Sequence, residues 1–207
     1  MTIIVGLIDQ GFGHVCMGAD TVRSNGNRYV DRNSKLTRMV VKRPYSNENR
    51  EIVRETTHII VGASGSVRAG QIVSAMYAPD WHMGKSAYEY LVGSFVVAVR
   101  NALDEAGQIG KSPIQSDETE LTLLVAIDGG LFIIWQDFSV TQPVEPYAAI
   151  GSGTDLALGA LFTTNDTDTP LEAAVLNALR AAAAYDHGCG APFDLSVSGE
   201  SIYRVDE

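Results

Sequence analysis

Secondary-structure signals fall into blocks along this 207-residue chain: strands, two helices, strands, two more helices, and a last group of strands. Short β-favouring apolar runs that stop at glycine predict strands, and longer apolar segments with helical spacing predict helices. The predicted strands are 3–7, 15–17, 36–41, 58–61, 121–127, 131–135, 147–150, 193–197 and 202–205. The predicted helices are 71–77, 86–106, 154–162 and 170–184. Because the elements are grouped and do not alternate, we predict one layered α+β domain over residues 1–207.

Composition excludes several classes of protein. Apolar residues make up 45% of the chain and charged residues 19%, which argues against disorder. The net charge of −10 disfavours partners that need a positive field, so we expect neither nucleic acid nor an anionic membrane as partner. No apolar run is long enough for a membrane span, and the first residues do not resemble a signal peptide. With two cysteines there is no disulfide framework, and we expect a cytoplasmic protein.

Motifs for cofactors and metals fit poorly. Gly84-Lys85-Ser86 ends like a phosphate-binding loop, but Pro79 stands where that loop needs a glycine. The run 151–153 follows a strand like a dinucleotide loop, yet the third glycine is missing. His14-Val15-Cys16 and His187-Gly188-Cys189 together hold four zinc-type ligands, but at unusual spacing. We therefore expect no cofactor and no metal, and interpret the cysteines as buried or loop residues.

Four segments in the same order resemble proteasome β subunits and the HslV peptidase. They are TIIVG at 2–6, GADT at 18–21 with DRNSKLTR at 31–38, ASGS at 63–66, and IGSG at 150–153 followed by an alanine-rich segment and DHGCG at 186–190. Each is short, and their joint order and spacing make the match specific. The resemblance implies a four-layer αββα sandwich of the N-terminal-nucleophile (Ntn) hydrolase type, and a threonine peptidase.

Thr2 is the nucleophile that this resemblance implies. A threonine hydroxyl attacks well only when a base takes its proton. An α-amino group has a pKa of about 7.7–8.0, near the operating pH, so a terminal threonine supplies both groups. This requires removal of Met1, for which the small Thr2 suits a methionine aminopeptidase. As in HslV, we expect no propeptide before it.

A lysine and an aspartate accompany the nucleophile in the resembling proteins. By resemblance, Lys35 lies beside the Thr2 hydroxyl and favours negative charge on it. Asp20 would pair with Lys35 and keep it charged. The alternative interpretation is a surface ion pair, which contributes only about 0–1 kcal/mol.

The remaining site residues are also assigned by resemblance. Gly65 would donate its N–H to the tetrahedral oxyanion. Ser152 and Asp186 would organise proton transfer at the terminal amine, with Cys189 where relatives carry serine. The alternatives are a strand-to-helix turn at Gly65, a helix cap at Ser152 and a turn brace at Asp186.

Substrate contacts and partners follow from the same resemblance. Thr21, with residues near Arg23, matches the strand that pairs with an extended substrate, and Ala63 matches the base of the main specificity pocket. The expected assembly is a homo-oligomeric ring, alone or stacked, fed with unfolded protein by an AAA+ ATP-dependent unfoldase.

Departures from the family pattern leave other functions open. Cys189 is a weaker hydrogen-bond partner than serine, and the polar segment 45–55 is interpreted as an inserted hairpin tip. One alternative is a ring-forming structural or assembly protein without catalysis. Another is an Ntn amidohydrolase that acts on small amides.

Overall fold

The computed structural model describes residues 1–9, 11–25, 27–47, 50–110, 118–164 and 167–206. The strands are β1 (Ile3–Ile8), β2 (Val15–Asp20), β3 (Val22–Asn25), β4 (Asn27–Val30), β5 (Leu36–Ser46), β6 (Ile52–Gly65), β7 (Leu121–Ile127), β8 (Gly130–Ile134), β9 (Val140–Thr141), β10 (Tyr147–Gly151), β11 (Phe193–Val197) and β12 (Tyr203–Val205). The helices are α1 (Val67–Ala75), α2 (Ala87–Tyr90), α3 (Val96–Glu105), α4 (Thr154–Thr164) and α5 (Leu171–Tyr185), and a π-helical segment (Leu91–Phe95) joins α2 to α3.

Two five-stranded antiparallel sheets form the centre of the molecule. The first has the strand order β10-β1-β2-β11-β12 and the second has the order β5-β6-β7-β8-β9, while β3 and β4 form a separate hairpin. Helices α4 and α5 pack on the first sheet, and α1 and α3 pack on the second. The layer order is therefore helix, sheet, sheet, helix, which confirms the predicted α+β, αββα class.

Three apolar clusters correspond to the three interfaces between these layers. The central cluster lies between the sheets and includes Ile4, Met17 and Leu124. One outer cluster packs the second sheet against α1 and α3, and the other packs the first sheet against α4 and α5. Because the inner strands are buried on both faces, they are continuous apolar runs without polar alternation. Those runs made the inner strands readable from the sequence.

Element boundaries differ from the sequence predictions in several places. Helix α1 starts at Val67 and not at residue 71, because the Ser66 side chain caps it by accepting the Ala69 N–H. Strand β6 begins at Ile52, well before the predicted residue 58. It pairs with β5 as far as Ser46 opposite Ile52, so the polar segment is a hairpin end as predicted. Residues 48 and 49 of that hairpin lie outside the described residues.

No described helix is long and apolar enough to cross a membrane.

Candidate active site

Four strand ends meet at one end of the sandwich and bring the predicted site residues together. Thr2 directly precedes β1, Asp20 ends β2, Lys35 directly precedes β5 and Gly65 ends β6. Antiparallel pairing produces this placement, since the start of β1 lies beside the end of β2 and the start of β5 beside the end of β6. Strand register thus brings Thr2 to Asp20 and Lys35 to Gly65, and packing of the two sheets brings the pairs together.

Lys35 lies between the Thr2 hydroxyl and the Asp20 carboxylate. Its Nζ is 3.1 Å from Thr2 Oγ1 and 2.7 Å from Asp20 Oδ1. Asp20 also accepts backbone N–H groups, Oδ1 from Ile3 at 2.9 Å and Oδ2 from Val22 at 3.2 Å. The carboxylate is therefore fixed by main-chain donors, and it fixes the ammonium in turn.

These charged groups are almost completely buried, with Asp20 0% and Lys35 5% exposed. Burial lowers the pKa of Lys35, while the Asp20 carboxylate opposes that shift. Burial likewise raises the pKa of Asp20 against the opposing effects of Lys35 and the two N–H groups. The burial excludes the surface ion pair that the sequence left open. A buried ammonium beside a hydroxyl can favour its deprotonation.

Two glycines allow the close approach of backbone segments around Thr2. Gly65 has φ +107°, and a Cβ there would overlap the Glu120 carbonyl oxygen. Gly151 has φ +110°, and a Cβ there would overlap the Thr2 carbonyl oxygen. Both conformations are disfavoured for residues with a side chain. The chain therefore needs glycine at these positions to keep β6 and β10 against their neighbours at the site.

Ser152 connects the Thr2 backbone to a second polar group formed by Asp186 and Cys189. The Thr2 N–H donates to Ser152 Oγ at 3.2 Å. Ser152 Oγ lies 3.9 Å from Cys189 Sγ, which donates to Asp186 Oδ2 at 3.3 Å. Asp186 Oδ1 accepts the Gly188 N–H at 2.8 Å. A continuous polar chain thus runs from the Thr2 nitrogen to a carboxylate.

The titration of this second group favours a neutral thiol beside a charged carboxylate. Burial, and then the negative charges of Asp20 and Asp186, raise the pKa of Cys189 to about 12. Burial also acts to raise the pKa of Asp186, but hydrogen bonds from Ser152, Gly188 and Cys189 outweigh it and lower that pKa. The thiol therefore keeps its proton at neutral pH and donates a hydrogen bond to Asp186.

In the form that carries Met1, this residue contacts the nucleophile directly. The Thr2 hydroxyl donates to the Met1 carbonyl oxygen at 2.7 Å. The Met1 side chain lies against Gly188, where an added Cβ would overlap it. The Thr2 nitrogen is an amide in this form, and it becomes a basic amine only when Met1 is removed.

A cavity of about 210 Å³ opens beside Thr2 on its Lys35 side. Ala63, Arg23 and Gln71 of α1 line it. Thr21 does not line it. That residue is fully buried, and its hydroxyl donates to the Pro192 carbonyl at 2.8 Å.

A second cavity, of about 520 Å³, opens on the Ser152 side of Thr2. Trp135, Gln136 and Thr122 line it with Thr2 and Ser152. Sequence reasoning missed these residues, and the only signal was an aromatic at the end of a predicted strand.

The metal alternative finds no geometric basis in the part of the chain that the structure describes. There, no group of three or more histidine, cysteine, aspartate or glutamate side chains is close enough to hold an ion. Cys16 and Cys189 are both fully buried in the core against α4 and α5.

Comparison with solved structures identifies the fold. The chain superposes on BPH from Thiobacillus denitrificans, solved in complex with epoxomicin, with TM-score 0.67, 18% identity and coverage of 95% of this chain and 97% of the other. HslV from Trypanosoma brucei gives 0.61, 19% identity and coverage of 95% and 98%. Anbu (ancestral beta-subunit) from Yersinia bercovieri gives 0.65, 18% identity and coverage of 100% and 88%. No family model and no curated sequence matches the chain. The fold is that of the proteasome-like Ntn hydrolases, which confirms the suspected resemblance at the level of fold.

Proposed function

We propose that this chain is a threonine endopeptidase subunit of the Ntn-hydrolase type, with Thr2 as nucleophile once Met1 has been removed. The observation that carries the proposal is the contact of Lys35 Nζ with Thr2 Oγ1 at 3.1 Å. Asp20 accepts a hydrogen bond from the same Nζ and holds it in place. A buried ammonium at hydrogen-bond distance from a hydroxyl is the arrangement that activates a weak nucleophile.

The proposed reaction uses the groups around Thr2 in two steps. The free amine of Thr2 takes the hydroxyl proton while Oγ1 attacks the peptide carbonyl carbon, and the Gly65 N–H stabilises the resulting oxyanion. The carbon–nitrogen bond then breaks, and the amine passes its proton to the leaving nitrogen. Water hydrolyses the ester on Thr2 in the second step. Ser152, Asp186 and Cys189 are proposed to orient the amine throughout.

Substrate binding is proposed on the Lys35 side of Thr2. The cavity lined by Ala63 and Arg23 would take the side chain before the cleaved bond. The small Ala63 leaves this cavity open, so a large apolar side chain fits the proposal. The main chain near Thr21 and Arg23 is proposed to pair with the extended peptide.

Assembly, unfoldase and location are part of the same proposal. A subunit of this type would form a homo-oligomeric ring in the cytoplasm and receive unfolded protein from an AAA+ partner. Sedimentation tests the assembly: a multiple of the 22.2 kDa subunit mass is expected, and a monomer would contradict the ring.

A ring-forming structural protein is the second candidate, and it applies to a form that keeps Met1. While Met1 is attached, its carbonyl holds the Thr2 hydroxyl and no terminal amine is available. Such a chain would assemble without reacting. A small-amide hydrolase would use the same nucleophile, and parallel assays with peptides and small amides separate it from a peptidase.

Covalent labelling with a peptide epoxyketone tests the nucleophile directly, because this reagent needs both the hydroxyl and the amine of a terminal threonine. Intact mass should show loss of one methionyl residue and one adduct per chain. Thr2→Ala should give no adduct, and Lys35→Ala should slow labelling by about 10²-fold or more. Retained Met1 without an adduct would favour the structural protein.

A further inference from the structure

The two cavities beside Thr2 present different chemistry to a bound peptide. Met1, Thr2 and Gly65 line both of them. Lys35 lines only the first cavity, and Ser152 lines only the second. A peptide whose carbonyl lies over Thr2 therefore has one cavity on each side of its cleaved bond.

Proton transfer determines which side of the substrate enters the second cavity. The leaving nitrogen must receive its proton from the Thr2 amine. The Thr2 nitrogen lies 3.2 Å from Ser152 Oγ, on the side of the second cavity. The carbonyl oxygen must at the same time point to the Gly65 N–H, which both cavities share. The leaving half of the peptide consequently departs past Ser152.

Trp135 forms the large apolar wall of this second cavity. Its side chain is 43% exposed, which leaves the ring available for a ligand. Its Nε1–H donates to Thr141 Oγ1 at 2.9 Å, and this bond fixes the ring at the end of β8. Gln136 and Thr122 add side-chain polar groups beside it. A rigid aromatic surface with flanking polar groups suits an apolar side chain followed by peptide backbone.

We propose that Trp135 determines specificity on the leaving-group side, by binding a large apolar residue directly after the cleaved bond. This inference rests on the proposed peptidase function and adds a preference that the nucleophile and the first cavity do not supply. The contact between Trp135 and this residue accelerates formation of the ester on Thr2, because the leaving half is still attached during that step. It has no effect on hydrolysis of the ester, since the leaving half has then gone.

Two internally quenched peptides, identical up to the cleaved bond and carrying Phe or Gly directly after it, test this with the Met1-free protein. The parent should cleave the Phe peptide with a kcat/KM about tenfold above that of the Gly peptide. Trp135→Ala should bring the ratio close to one, while Trp135→Phe should retain most of it. Val144→Ala, at a fully exposed position outside both cavities, should leave the ratio unchanged.

Epoxyketone labelling separates failure of this inference from failure of the proposed function, because the reagent extends only to the Lys35 side. The Trp135→Ala, Trp135→Phe and Val144→Ala variants should label at the parent rate. A parent ratio near one, a ratio preserved in Trp135→Ala, or labelling reduced as much as cleavage would overturn the role of Trp135. A parent that does not label at all would overturn the peptidase and this inference together.

Discussion

At the scale of single residues, the site depends on two opposite charges that water does not reach. Asp20 accepts from Lys35 and from two backbone N–H groups, so each partner satisfies the other in the interior. Breaking such a pair leaves one buried charge uncompensated, and this typically costs about 3–5 kcal/mol. The pair is therefore a requirement of the folded state as well as a proposed part of the catalyst.

A double-mutant cycle should show this dependence. We expect Asp20→Ala and Lys35→Met each to lower the free energy of unfolding by about 3–5 kcal/mol, measured by urea denaturation. The double variant should be no less stable than either single variant, because it leaves no unpaired charge. The exposed pair of Arg54 and Asp80 is the control, and Arg54→Ala should change stability by less than about 1 kcal/mol. Additive losses in the cycle would contradict the coupling.

Both cysteines should be inert in the folded protein at neutral pH. Burial raises the pKa of Cys16 and of Cys189 from 9.0 to about 12. We expect neither thiol to react with iodoacetamide at pH 8 until the chain is unfolded in urea, when both react. A cysteine placed at exposed position 144 should label at once. Rapid labelling of native Cys189 would contradict its burial.

The same shifts give a direction to the pH dependence of stability. Below pH 9 the thiols are protonated in both states and contribute no slope. Between pH 9 and about 12 the unfolded chain loses these protons while the folded chain keeps them. Stability should therefore fall as the pH rises through this window, by at most about 1.4 kcal/mol per pH unit for each thiol. The Cys16→Ala variant should show a smaller slope.

The residues of the site could be named from the sequence only through the family resemblance. Thr2, Asp20 and Lys35 share no local pattern, because strand register and the packing of the two sheets bring them together. Trp135 had no such precedent to identify it, since an aromatic ending a strand is usually explained by packing. The predicted roles of Ser152, Asp186 and Cys189 stay predictions, although the structure brings these side chains together.

At the scale of elements, the long helical unit from α2 to α3 contains an extra residue. The Val96 N–H donates to the Leu91 carbonyl five positions earlier, which defines the π-helical segment. Leu91 and Phe95 are fully buried within it, whereas Gly93 is exposed and a Cβ there would meet no neighbouring atom. The sequence predicted this helix well, but helical periodicity does not reveal a single inserted residue.

Deleting Gly93 should convert the π-helical segment into regular α-helix at little cost. The flanking helices would keep their core faces, and a glycine in a helix interior is itself unfavourable by about 1 kcal/mol. We expect the free energy of unfolding to stay within about 1 kcal/mol of the parent. Deleting Ala98 in α3 is the control, because it rotates Val99 and Leu103 by about 100° relative to the preceding helix. That deletion should lower the free energy of unfolding by more than about 3 kcal/mol. Equal losses in the two deletion variants would show that the π-helical segment does not tolerate removal of a residue.

The sequence predicted the inner strands correctly but missed several of the outer ones. Inner strands were predicted because burial on both faces makes them continuously apolar. Strands β3, β4 and β9 and the outer part of β6 were missed, since main-chain pairing stabilises them without a distinctive side-chain pattern.

At the scale of the whole molecule, the central apolar cluster joins the two halves of the sandwich. Each sheet carries part of the candidate site, with Thr2 and Asp20 on the first and Lys35 and Gly65 on the second. The position of Lys35 relative to Thr2 therefore depends on sheet-to-sheet packing. This is why we propose that residues 1–207 form one cooperative domain and not two separable halves.

A substitution in the central cluster should destabilise both halves equally. Leu124 is fully buried there, and Leu124→Ala should lower the free energy of unfolding by about 2–5 kcal/mol. Val144→Ala, fully exposed, should change it by less than about 0.5 kcal/mol. Trp81 lies in the cluster under α1 and α3, and both thiols lie in the cluster under α4 and α5. Trp135 directly follows β8 of the same sheet, so tryptophan fluorescence and thiol labelling report on opposite sheets. For one domain the two midpoints in urea coincide with each other and shift together in Leu124→Ala, whereas separate midpoints would show that the sheets unfold independently.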